Sequence, residues 1–332
     1  MDIFIDNRDG NVWQVSGEAM AGKENAAGLV SELTWKTERT GSPGSVDITL
    51  VKDGIYQNKK FKVQNGDIVR ITKGKYKIFY GYVFSVEQSE KSDMKITAYD
   101  QIRYLNANDT YVFKNLTAGA VIKRIAEDFK LKTGMIADTG YKIPAMVEDN
   151  QKLLDIIYKA IDQTLMSTGT IYVFFDDFGA LALKRAADML VSVSVGDGSL
   201  MTGYALKRSI DSETYNFVKL VQDNKESGKR DAYVYQDSNN IKKWGKLQLY
   251  DKVDEKMNAA QIKQKAQNLL TLHNRESKSL SIDAMGDLSI RAGCYVPVFI
   301  DDLKVSQVYL VDSCTHKFSG LEHTMSLELK VI

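Results

Sequence analysis

The chain has 332 residues but only two cysteines and three histidines. So few cysteines exclude a disulfide framework and point to folding in a reducing compartment without crosslinks. No stretch approaches the roughly 20 apolar residues of a membrane span. The opening MDIFIDNRDGNVWQ lacks the positive and apolar regions of a secretion signal, so synthesis in the cytoplasm is expected. An excess of one charge is also missing. There are 44 basic and 43 acidic residues, a formal net charge of +1. That argues against a dedicated nucleic-acid binder, whose affinity rests on a basic surface that neutralises phosphates. No GxSxG elbow and no HExxH occur, and STGTIY and SVGDGS lack the lysine and strand–loop–helix context of a phosphate loop.

What is present reads mostly as strands. In SVDITLV, Val46, Ile48 and Leu50 alternate with Asp47 and Thr49, the period of a half-buried strand. GDIVRI, YKIFYGYVFSVE and MKITAYD continue the pattern, so residues 1–105 are expected to form a first small β-barrel domain. Residues 106–195 read as an α+β module. Thr117 is a candidate N-cap before Val121, Ile122, Ile125 and Phe129 on one helical face. A second amphipathic run from Asn150 carries Leu153, Leu154, Ile157, Tyr158, Ile161 and Leu165. TGTIYVFFDDFGALALKR then reads as a hairpin with DDFG in its turn. Residues 196–332 return to strands, a second barrel domain, with one helical insertion at about 250–275. There Asn258 and Gln261 form a candidate capping pair ahead of Ile262, Ala266, Leu269 and Leu270. The fold class is thus mainly β with α+β insertions.

The two β-blocks share a layout. Asn65–Asp100 and Ala292–Leu329 each begin with a small-residue turn ending in Gly66 or Gly293. A short strand, a polar turn, a long strand and a closing strand follow, and Val83 and Val311 fall nearly in step. This predicts one scaffold used twice.

Chemistry-bearing residues concentrate in DSCTHKFSGLEHTMSLEL, Asp312–Leu329. A two-residue loop at Ser319-Gly320 would put Cys314, His316, Phe318, Leu321, His323 and Met325 on one face. It would also set His316 opposite His323 and Lys317 opposite Glu322. Cys314, His316 and His323 are then candidate metal ligands, with Cys294 as the available fourth. Without CxxC-type spacing, packing of these side chains in a hairpin core is the preferred reading, and no catalytic residue, metal or cofactor is expected. Asp176-Asp177 and Asp301-Asp302 are paired carboxylates of the kind glycoside hydrolysis uses. Both sit at expected turns, where Asp is favoured for local hydrogen bonding, and nothing around them predicts a raised pKa. Lys73, Lys75 and Lys77 alternate beside a turn and read as protection of a strand edge, with a lumen-facing basic row as the alternative.

KITAYDQIRYLNANDTYVFKNLTAGAVIKRIAEDF, GTIYVFFDDFGALALK, KKWGKLQLYDKVDE and the terminal THKFSGLEHTMSLELK together resemble the baseplate hub proteins of contractile phage tails and tail-like particles. The resemblance is strongest to PBSX-type prophages and R-type bacteriocins. It runs from about residue 95 to the end, with Trp244-Gly245, Gly286-Asp287 and His316…His323-Thr324-Met325 its most specific positions. It implies two tube-type β-barrels per chain and a homotrimeric ring. That ring would join a six-fold tail tube above to a three-fold spike below, with tape-measure and other baseplate proteins as further neighbours. It also implies residence in the baseplate of a virion or tail-like particle, after assembly in the bacterial cytoplasm. No membrane insertion and no sequence-specific nucleic-acid binding are expected. A peptidoglycan hydrolase and a glycan- or nucleic-acid-binding barrel are the alternatives.

Overall fold

Alternating apolar residues set the strands. In β1 (Asp2–Asp6) Ile3 and Ile5 are fully buried, and in β4 (Ser45–Val51) Val46, Ile48 and Leu50 point to the same core. The computed structural model describes residues 1–16, 29–51, 60–88, 90, 93–211, 213–224, 229–253, 255 and 257–330. Parts of the first expected β-domain, 17–28 and 52–59, lie outside these. The first block also contains β2 (Val12–Ser16), β3 (Leu29–Glu38), β5 (Ile68–Lys73), β6 (Tyr76–Gln88) and β7 (Asp93–Tyr99).

Next come β8 (Asn108–Leu116), α1 (Ala118–Asp128), β9 (Thr133–Ile136), β10 (Ile143–Lys152), α2 (Leu153–Thr168), β11 (Tyr172–Asp176) and β12 (Leu181–Arg185). The Thr117 hydroxyl caps α1 by accepting from Ala120 N–H at 3.3 Å, and Val121, Ile122 and Ile125 are buried beside Leu153, Leu154 and Ile157 of α2. Helix α2 starts at Leu153 rather than Asn150, because Asn150 has a left-handed φ of +49° and belongs to the β8–β10 ribbon. Leu165, expected on the apolar face, is partly exposed.

The last third contains β13 (Val195–Gly196), β14 (Met201–Ser209), β15 (Phe217–Asn224), β16 (Lys229–Gln236), α3 (Ser238–Trp244), β17 (Gln248–Lys252) and α4 (Ala259–His273). The chain closes with β18 (Ser277–Met285), β19 (Tyr295–Ile300), β20 (Val305–Ser319) and β21 (Glu322–Lys330). Two compact units result. One comprises Met1–Tyr204 and Ser281–Ile332, the other Ala205–Leu280. The chain passes from one to the other within β14 and returns within β18. In the smaller unit, β15 pairs antiparallel with β16 and parallel with β17. Helix α4 covers that sheet with Ile262 and Ala266 on Val218 and Leu220. Its start carries the expected reciprocal Asn258–Gln261 capping box. Among the described residues no helix is long and apolar enough to cross a membrane.

Among the described residues the large sheet has thirteen strands. Its main path is β14-β18-β21-β20-β3-β4-β7-β6-β5-β1-β2, with β19 beside β20 and β13 beside β19. The order contains one pattern twice: β3-β4-β7-β6-β5 and β14-β18-β21-β20-β19. The repeat extends to hydrogen bonds. Gly66 N–H donates to Val83 O at 2.7 Å and Val83 N–H to Asp67 O at 2.8 Å. Gly293 N–H donates to Val311 O at 2.8 Å and Val311 N–H to Cys294 O at 2.9 Å. Gly66 (φ +93°) and Gly293 (φ +89°) each occupy the third position of a turn, where a left-handed residue is required. A bulge follows immediately in both long strands, between Val83 and Ser85 and between Val311 and Ser313. The two β-blocks therefore share layout, turn and bulge, as their sequences predict.

Candidate functional site

The site is the junction at which the second β-block meets the first. After its bulge β20 turns away from β19, whose partners on β20 are Val305–Leu310. Its freed edge, Ser313–Ser319, pairs antiparallel with Glu32–Glu38 of β3. One face of this junction is apolar. His316 lies opposite Trp35, and their rings stack at 4.9 Å with planes 15° apart. Cys314 lies opposite Thr37 and Phe318 opposite Leu33, all buried. The other face presents Ser313, Thr315, Lys317 and Ser319 beside Glu38, Lys36, Thr34 and Glu32. Across β4 and β7 that polar face continues, with Thr97 donating to Asp47 at 2.6 Å. Across β21 and β18 it continues with Ser281 donating to Glu328 at 2.7 Å and Ser326 to Asp283 at 2.6 Å.

The β20–β21 hairpin differs from the expected register. Its loop is Gly320-Leu321, not Ser319-Gly320, so Phe318 faces His323, His316 faces Met325 and Cys314 faces Leu327. Glycine decides this. Gly320 takes φ +59°, the conformation a tight hairpin needs at its first loop position. Each partner moves by two residues, so the faces survive. Lys317 pairs with Thr324 rather than Glu322, and Leu321 is fully exposed at the tip instead of packed.

His316 and His323 still meet, on the diagonal. His316 Nε2–H donates to the Ile290 carbonyl at 2.9 Å, which leaves Nδ1 to accept from His323 Nε2–H at 3.0 Å. Cys314 Sγ lies 3.2 Å from His316 Nε2, and its thiol donates to the same Ile290 carbonyl at 3.8 Å. Gly286 makes room for the second ring, because a Cβ there would lie 2.2 Å from His323. Burial pushes the thiols of Cys314 and Cys294 up and holds them neutral. Burial also lowers His316 to about 4, against the opposing Ile290 hydrogen bond and Asp287. His323 falls to about 4 through burial, then His316 and Lys73, with Asp287 opposing.

Two predictions arise here. The imidazoles are neutral when folded and protonate near pH 6.5 when unfolded. Their contribution is therefore present above about pH 6.5 and is lost as pH falls through about 4. The shift of His316 corresponds to roughly 3 kcal/mol. We expect the wild type to lose its stability advantage over His316→Gln across that window in chemical denaturation. A pH-independent difference would refute it. We also expect no stoichiometric zinc in protein purified without chelator. Both nitrogens of His316 are engaged, and among the described residues no group of three or more His, Cys, Asp or Glu is placed to hold a metal. Elemental analysis with one zinc per chain would overturn that.

A second cluster begins at Arg291, the residue after Ile290. Asp176, expected in a solvated turn, is buried, and burial raises its pKa despite hydrogen bonds from Gly179 N–H at 2.6 Å and Gln101 Nε2 at 2.9 Å. Asp100 is raised well above the usual carboxylate value, first by burial and then by Asp176. It accepts from Gly44 N–H at 2.8 Å and Ile102 N–H at 3.0 Å. Partly buried Arg291 supplies the neighbouring positive charge. Its Nη1 donates to the Asp176 carbonyl at 3.3 Å, and its guanidinium lies 4.3 Å over Phe175. The end of the first block, the β11–β12 turn and the glycine turn of the second block thus converge on one buried charge group. Asp177 remains exposed beside Lys184 at 3.3 Å, and Asp301-Asp302 lie in a short helical turn. Lys75 and Lys77 lie over the rings of Tyr76 and Phe178.

This duplicated sheet with its α+β segment is the fold of phage tail proteins. The 43 kDa tail protein of prophage MuSo2 from Shewanella oneidensis superposes with a TM-score of 0.70 at 14% identity, covering 99% of this chain and 98% of that one. A tail protein from Neisseria meningitidis MC58 gives 0.68 at 12% identity, with 99% and 96% covered. Residues 33–330 match the family model described as YQBQ-like, and the chain belongs to that family. The phage-like element PBSX protein XkdQ of Bacillus subtilis (strain 168) is 34% identical over 307 residues, 91% of this chain and 92% of the relative.

Proposed function

We propose that the protein is a non-enzymatic baseplate hub of a contractile phage tail or tail-like particle, acting as a homotrimeric ring. The carrying observation is the duplicated strand order within one sheet. Three chains with two repeats each present six similar β-blocks, enough to match a six-fold tail tube on one face. The other face keeps three-fold symmetry for a spike. Closed rings arise from head-to-tail contacts whose rotation closes. The polar face built from β4, β7, β3, β20 and β21 suits the wall of such a ring, because its hydroxyls and charges stay hydrated while the opposite face supplies the core. The family relationship to a PBSX phage-like element protein and the tail-protein fold support the same reading. Tube protein, spike, tape-measure and other baseplate proteins are the proposed neighbours.

Reconstruction of intact particles tests it. Three copies on the tube axis between tube and spike are expected. A position off the axis, or a copy number other than three, would overturn it.

A further inference from the structure

Among the described residues, the large sheet has unpartnered edges at β2, β13, β14 and the end of β6, and the repeat assigns the last two to each other. The bulges after Val83 and Val311 peel the ends of β6 and β20 away from β5 and β19. In β20 the edge thus freed pairs with β3, the first strand of the other repeat. In β6 the corresponding edge, Ser85–Gln88, has β7 on one side only. Strand β14 holds in the second repeat the place that β3 holds in the first, beside β18 as β3 is beside β4, and it ends the sheet path. Thr202 and Tyr204 on it are exposed.

We propose that Ser85–Gln88 of one chain pairs with Met201–Tyr204 of a second copy of this chain, reproducing between chains the β20–β3 pairing made within each. This rests on the ring reading and names its contact surface. The contact is head-to-tail, with β6 of one copy meeting β14 of the next. Six junctions then alternate, three within chains and three between them, and no open edge remains at either strand. Main-chain hydrogen bonds supply the specificity of an added strand. Leaving both edges bare would invite uncontrolled association.

The test places single cysteines at Ser85 or Glu87 together with Thr202 or Tyr204 in the full chain. Mild oxidation follows, both at high concentration and in assembled particles. Native mass is read beside a denaturing non-reducing gel, with Ser85→Cys paired to Thr110→Cys as control. The expected result is a covalent three-chain species from at least one β6–β14 pair and none from the control. A three-chain mass without any β6–β14 crosslink, or crosslinking as efficient in the control, overturns this junction and leaves the ring standing. Single chains without crosslinks at every concentration and in particles overturn both.

Discussion

Arg291→Ala should destabilise the protein by roughly 3–5 kcal/mol at pH 7, the usual cost of removing one partner from a buried charge group. Asp100 and Asp176 would then lose the nearby positive charge that favours their ionised forms. The pH dependence gives the mechanism a signature. Both carboxylates have folded pKa values above their unfolded ones, so the fold favours their protonated forms. That preference stabilises fully below pH about 4 and is lost as pH rises through the raised values. Removing Arg291 raises them further, so the penalty should be largest near neutrality and shrink as the pH is lowered. Arg291→Lys should recover part of it. Denaturant titrations at pH 7 and pH 5 decide the matter. A loss below about 1 kcal/mol, or one equal at both values, would show that the arginine is dispensable for the cluster.

Trp35→Ala should be comparably severe, about 3–5 kcal/mol, because a buried aromatic side chain is deleted where neighbours from two β-blocks meet. The informative quantity is its coupling to His316. The stacked pair bridges β3 and β20, so the double variant Trp35→Ala/His316→Ala should cost less than the sum of the singles by about 0.5–1.5 kcal/mol. Strict additivity would mean that the stack does not tie the blocks together. Trp35→Phe should keep most of the packing.

How much of this was legible in the sequence depends on distance along the chain. The alternation in SVDITLV, the Thr117 cap and the Asn258–Gln261 box act within a few residues, and each is found where its pattern places it. The repeat was readable because Gly66 and Gly293 perform the same turn, a backbone demand that survives when side chains diverge. The apolar face of the last hairpin was readable too, since period-two alternation fixes faces. Its register was not, because Ser319, Gly320 and Leu321 allow loops that differ only in which residue takes the positive φ. The Asp100–Asp176–Arg291 cluster left no local sign. An Asp in a DDFG turn reads as solvated, whereas Gln101 reaches its carboxylate from 75 positions away and Arg291 its main-chain carbonyl from 115. The pairing of β20 with β3 was equally silent, since each strand reads as an ordinary half-buried strand.

That pairing also has a consequence in time. Thr37 and Cys314 touch across it although 277 positions separate them. During synthesis Cys314 of β20 leaves the ribosome 277 positions after Thr37 of β3, so one edge of β3 must wait for all of the chain between them. Closing so long a loop is slow, and the non-local step should be the last to complete. In pulsed hydrogen exchange the β3 amides facing β20 should gain protection after those facing β4. In the interval, a neighbouring nascent chain offers the same β20 sequence at high local concentration. The strand that finishes one molecule is therefore also the one best able to fuse two by exchange, and slow dilution should favour the separate chains over the swapped pair.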